Sequence, residues 1–155
     1  MNLTATDQAI IAAQYMAGDP AIPTPAETKA FRGWLADSFR CIAHSVVTTP
    51  AEISPETFLA TWQVTGKLLI STANSEHPFW DLETNVRFRA VHDFHHLMTA
   101  GGFGWDGEVA TYHYAKTTAP ALIHWILRSE ILGQAAAALR TGVFQEQKLV
   151  REISA

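Results

Sequence analysis

His92, Asp93 and His96 have the residue types and the spacing that metal chemistry uses. Histidines four positions apart on a helix stand about 5–6 Å apart on one face, close enough for both imidazoles to share an ion. An Asp between them can orient an imidazole or act as a base on a polarised water. The same residues could instead satisfy one another in a buried hydrogen-bond network, so a metal site and a polar network are both open.

The helix that carries them decides whether they face inward. Asp81 can cap a helix from Leu82 to about Thr99, which Gly101-Gly102 would stop. At about 100° per residue, Asn85, Arg89, His92, Asp93 and His96 fall in one sector. Val86 and Leu97 flank it on one side and Phe88 on the other, while Glu83 and Arg87 point nearly opposite. A solvated face normally carries Lys and Glu. This one carries imidazoles, an amide and a guanidinium between apolar walls, so it is expected to face inward. Leaving such groups buried and unpaired would cost roughly several kcal/mol, so they need partners. His95 falls outside the sector, beside Phe88 and Val91, and reads as a packed or rim histidine.

Further ligands should come from carboxylates on neighbouring helices. Glu130 lies among Ile123, Ile126, Leu127 and Ala137, with Gln134 one turn on. A carboxylate in such a stripe must be neutral, paired or metal-bound, and a salt bridge to Arg89 is the competing expectation. Glu108 follows the turn-rich Phe103-Gly104-Trp105-Asp106-Gly107, where a favourable interaction with a helix N-terminus is the alternative. The expected metal set is His92, His96, Glu130 and Glu108, holding a divalent ion. Zinc comes first, and the carboxylate content also suits iron or manganese. Asp93 and Arg89 are the catalytic candidates, as base and as anchor for an anionic substrate group. His113 lies about 140° around its helix from Glu108. His124 and Arg128 share a face away from Glu130, and His44 and His77 are isolated. Of the five tryptophans, Trp105 is the one placed to line a pocket.

The elements that would position these groups are helical. Thr24-Pro25-Ala26-Glu27 is a capping box with Pro at the first helical position, and apolar residues then recur at helical spacing through Val47. Ser54-Pro55-Glu56 opens another stretch, whose end at Leu68 to Thr72 is ambiguous between helix and short strand. Asp106 can cap a helix through Lys116. Thr118 to Arg140 reads as one long helix stopped by Gly142, Phe144 to Ile153 could add another, and a first helix is expected near Thr6 to Met16. The expected fold is all-α, a single helical domain over residues 1–155 with about five to seven helices.

Apolar residues make up 48 % of the 155 and charged residues 17 %, which describes a globular chain. A net charge of −4 without any basic run gives no reason to expect nucleic acid or an anionic membrane as partner. The N-terminus lacks a basic leader, no apolar run is long enough to span a bilayer, and a cytoplasmic location is the expectation. The single cysteine, Cys41, sits among Phe39, Ile42 and Ala43 and reads as an inert core thiol. Apolar residues cover almost the whole circumference from Pro120 to Leu139, which suits a central helix or a homo-oligomer interface.

His77-Pro78, then Asn85-Val86-Arg87-Phe88-Arg89-Ala90-Val91-His92-Asp93, then Phe103, Gly107-Glu108, and finally Glu130 with Gly133-Gln134, resemble a family of small, functionally uncharacterised proteins found largely in phages and mobile elements. Its members share N-x-x-F-R-A-V-H-D, a later G-E pair and E-x-x-G-Q. The resemblance covers about the C-terminal half. It implies that Asn85, Arg89, His92, Asp93, Glu108, Glu130 and Gln134 belong to one site, and its pattern leaves both His95 and His96 as the second imidazole. Two other families share fragments. His92-Asp93-Phe94-His95-His96 is similar to a zincin motif with Asp in place of Glu. Asp is one methylene shorter, and an all-α domain lacks the edge strand that holds a peptide, so a peptidase is not expected. His92-Asp93 with His44 upstream resembles the HD phosphohydrolases, which need a later Asp, and none follows Asp106.

Two functions follow as expectations. One is a metal-dependent hydrolase acting on a small molecule. The other is a non-catalytic structural or interaction module whose buried polar network fixes its fold.

Overall fold

The computed structural model describes residues 3–154. Each early helix starts where a polar side chain can satisfy its free N–H groups. Thr4 and Asp7 close a capping box on α1 (Ala5–Ala17), and Thr24 and Glu27 close another on α2 (Pro25–Ile42). Ser54 caps α3 (Pro55–Thr65), and Asp81 caps α4 (Leu82–Thr99) through 2.8 Å to the Thr84 N–H. Helix α5 (Trp105–Thr118) follows a turn of glycines.

The fold is mostly helical but not purely so. Val46–Thr49 (β1) and Leu68–Ser71 (β2) pair in parallel, Val46 opposite Leu68, with α3 as the crossover between them. Helix α2 therefore ends at Ile42, short of the expected Val47. Four β-branched residues in a row, Val46-Val47-Thr48-Thr49, favour the pleat over the helix. In β2, Leu68 and Ile70 point into the core and Leu69 and Ser71 toward the opposite side.

The stretch expected as one long helix is also interrupted. Ala119 is extended before Pro120, as the proline ring requires, and a short 3₁₀ turn over Ala121–Ile123 follows. From there a continuous rod runs through α6 (His124–Leu127), a π-helical turn over Arg128–Gly133, and α7 (Gln134–Thr141). This rod is the centre of the molecule: Ile126, Leu127, Ile131, Leu132, Ala136 and Ala137 are all buried. Gly133 lies so close to α1 that a Cβ there would stand 2.5 Å from the Tyr15 ring.

Among the described residues, the tail from Phe144 to Ser154 forms no helix. Its backbone groups bond elsewhere instead: the Val150 N–H donates to Ser129 Oγ (2.8 Å), Leu149 O accepts from the Ala21 N–H (2.7 Å), and Ile153 O accepts from Arg128 (2.9 Å). Leu149, Val150 and Ile153 are buried against the rod and α1. Cys41 is exposed on α2, not a core thiol. Successive residues differ by about 100°, so Ile42 turns inward while its neighbour does not. Among the described residues, no helix is long and apolar enough to cross a membrane.

Candidate metal centre

The inward stripe of α4 performs two tasks along its length. Its N-terminal half holds the connection that follows β2. Arg89 donates to the carbonyls of Ser71 (3.1 Å), Ala73 (2.8 Å) and Asn74 (2.8 Å), and Asn85 donates to Ser75 O (2.8 Å). Arg89 thus clamps a turn in which Asn74 has φ of 50°, and it makes no salt bridge to Glu130. The C-terminal half of the stripe presents His92 and His96, whose ring centroids lie 4.6 Å apart.

Glu108 reaches these histidines because two backbones touch. The turn out of α4 takes left-handed backbone at Ala100 (φ 51°) and Gly102 (φ 70°). The start of α5 packs directly on it: a Cβ on Gly107 would stand 2.0 Å from Gly102 O. Only glycine permits that approach, and it places Glu108, the next residue, against α4. Glu108 Oε2 lies 3.0 Å from His92 Nε2, and Oε1 lies 3.4 Å from His96 Nε2. One ligand atom from each of the three residues lies within 4.8 Å of the other two, so this group could hold a metal ion.

The hydrogen bonds of His96 strengthen that assignment. Its Nδ1 lies 2.6 Å from Gly102 O, and a carbonyl only accepts, so Nδ1 carries the proton. In the neutral ring Nε2 is then a lone pair. It is buried and without a hydrogen-bond partner, and it faces a carboxylate that is also an acceptor. Two acceptors facing each other repel unless a cation or a proton lies between them. Metal-binding histidines are held in this way, with a backbone carbonyl fixing one imidazole nitrogen and a bare lone pair left on the other. Phe103 stacks on the His96 ring at 4.5 Å, and Phe88 lies parallel to that of His92 at 6.3 Å.

The electrostatics agree with a compact charged cluster. Burial pushes the Glu108 carboxyl up, but His92 and His96 outweigh it and hold the group at about 2. Burial pulls His92 down, and Glu108, Asp93 and Glu130 together overcome it, so its pKa ends above its ordinary value. Asp93 is raised, first by burial, against the opposing pull of His92, His96 and Arg89. His95 is driven down to about 4 by burial and then by the neighbouring imidazoles. Its ring packs edge-on against Tyr114 at 4.9 Å. His96, not His95, shares Glu108 with His92.

Glu130 stands apart from this triad. It comes from the π-helical turn of the rod, and its Oε1 accepts from Trp80 Nε1 at 3.1 Å. His77 Nε2 approaches the same oxygen to 2.8 Å, off the axis a hydrogen bond needs. Helical periodicity gives no signal for His77, which sits in an irregular loop where no wheel applies; only the family resemblance, through His77-Pro78, includes it. Only the neighbouring Trp80, whose buried indole N–H needs a partner, hinted at a polar group there. Trp105 does not line the site. Its indole donates to Leu3 O (3.2 Å).

A cavity of about 770 Å³ opens in front of these groups. Asn85, Arg89, His92, Asp93, Glu108, Glu130 and Gln134 all line it, together with apolar walls that include Phe58, Ile70, Phe88, Phe103 and Ile131. An ion held by these three residues beside an open space of this size would keep a coordination position free. Comparison of the chain with family models, curated proteins and solved structures returns no match.

Proposed function

We propose that this chain is a metal-dependent hydrolase of a small molecule, with a divalent ion held by His92, His96 and Glu108. The observation that carries this reading is the buried lone pair of His96 Nε2, which faces the Glu108 carboxylate without a hydrogen bond. The open cavity supports a catalytic over a purely structural ion. Two imidazoles and one carboxylate suit zinc first, with iron and manganese as rivals. A bound ion supplies Lewis-acid polarisation. Asp93 is the candidate base: its carboxylate is 3.9 Å from His92 Nδ1, beyond hydrogen-bonding distance, and lines the cavity. Burial raises its pKa, which makes the ionised carboxylate a stronger proton acceptor. The seven residues that the phage-family resemblance groups together line one cavity, which supports treating them as a single site.

Elemental analysis of protein purified without an affinity tag tests the reading. The expected result is stoichiometric metal that His92→Ala and His96→Ala abolish. Metal-free protein whose stability is unchanged by His92→Ala would overturn it and leave the triad as a hydrogen-bonded network. The chain would then be a non-catalytic helical module.

A further inference from the structure

We propose that the cavity takes a ligand with a cationic amino group on an apolar body, and that Glu130 binds the amino group. This inference rests on the metal-centre reading for the other end of the ligand. It comes from the contrast between two buried histidines. His96 offers a lone pair to its carboxylate. His77 does the reverse: its Nδ1 accepts from the backbone N–H groups of Phe79 (3.1 Å) and Trp80 (3.3 Å), so the proton of the neutral ring is on Nε2, facing Glu130. A ring in that tautomer cannot ligate a metal through Nε2, but it can position a carboxylate.

Glu130 Oε1 therefore meets two N–H groups, hydrogen-bonded by that of Trp80 and approached off-axis by that of His77, so both neighbours are spent on this one oxygen. No hydrogen bond from the described residues reaches Oε2, although the side chain is only 4 % exposed and lines the cavity. A buried carboxyl group whose second oxygen opens on a cavity without a protein partner calls for a donor from outside the protein.

The remaining charge selects the kind of donor. Glu52, Asp93, Glu108, Glu130 and Glu146 line the cavity, and no lysine does. The one guanidinium, Arg89, has three N–H groups committed to backbone carbonyls. A divalent ion at the triad would still leave the lining negative. An anionic ligand would meet acceptors almost everywhere, whereas an ammonium group would be attracted into the cavity and paired at Glu130. The phenylalanine walls accept the rest of the molecule.

Titration calorimetry on zinc-loaded full-length chain tests this with three shape-matched probes: 2-phenylethylamine, 2-phenylethanol and phenylacetate. The amine is expected to bind at least about tenfold more tightly than either other probe, and Glu130→Gln is expected to remove that margin. Zinc content, measured on the same samples, should be unchanged in Glu130→Gln. In wild-type protein the amine, but not the alcohol, should also shift the NMR signal of the Trp80 indole N–H, a readout that does not depend on how the variant folds. Equal binding of the three probes, no detectable amine binding, an unmoved Trp80 signal, or loss of zinc in Glu130→Gln would each overturn the proposal. Wild-type protein that takes up no zinc but still prefers the amine would sink the metal reading and leave this one standing.

Discussion

Nδ1 of His96 donates to the carbonyl of Gly102 across 2.6 Å, so a backbone turn sets the aim of a buried imidazole. That carbonyl is itself held by the close approach of Gly107. Gly107→Ala should push the turn away from α5, cost roughly 1–3 kcal/mol of stability and weaken zinc binding by about 10–100-fold, though no ligand is changed. Zinc titration against a competing chelator, alongside a urea melt, checks both effects. Unchanged zinc affinity would show that the carbonyl does not orient the ring.

The two adjacent histidines should separate cleanly. His96→Ala removes a ligand and is expected to abolish stoichiometric zinc. His95→Ala removes only a ring packed on Tyr114 and near Trp34, so zinc content should hold while stability falls by about 1–2 kcal/mol. Elemental analysis and thermal melts of both variants read the difference.

Arg89 should act on the fold more than on the ion. Its three bonds to the carbonyls of Ser71, Ala73 and Asn74 need a planar fork that lysine lacks. Arg89→Lys is expected to lower stability by roughly 1–3 kcal/mol and to speed amide exchange over residues 71–75, with zinc retained. Loss of zinc would instead tie Arg89 directly to the triad.

Acid sensitivity should come in part from a pair outside the cavity lining. Arg151 meets both oxygens of the buried Glu27 carboxylate, at 2.8 and 3.0 Å, and holds its pKa at about 2, against an ordinary 4.5. The folded value is the lower one, so the pair's full contribution is present above pH 4.5 and is lost as pH falls toward 2. Arg151 is nearly half exposed, and solvent screening leaves a contribution on the order of 2 kcal/mol. Urea melts at pH 6 and pH 3 should show a loss that Glu27→Gln reduces, the remainder coming from Glu108, whose carboxyl is also held at about 2. An equal loss in that variant would place the acid-sensitive group elsewhere.

Most helix starts were legible because caps are local: Thr24, Ser54 and Asp81 each do what their neighbours imply. The polar stripe of α4 was legible because its period matches one helix face. Three features were not. The parallel strands pair residues 22 apart: Leu68 to Thr72 reads as helix or short strand, but its partner strand begins inside the stretch expected as helix, and no local pattern joins the two. Glu130 was placed by a wheel of about 100° per residue, which the π-helical turn beneath it does not obey. Its partnership with His77 depends on a loop folding back across the core, and no periodicity encodes that.

A π-helical turn amounts to an α-helix with one residue inserted. The segment Arg128–Gly133 therefore stands one codon from an ordinary rod. Deleting a single residue there would restore the regular ladder and rotate one end of the rod against the other by about 100°. Glu130 and α7 could not then both keep their present neighbours. A descendant of this chain can thus lose Glu130 from its cavity, or an ancestor have acquired it there, by a one-residue change in length with every other residue of the rod intact.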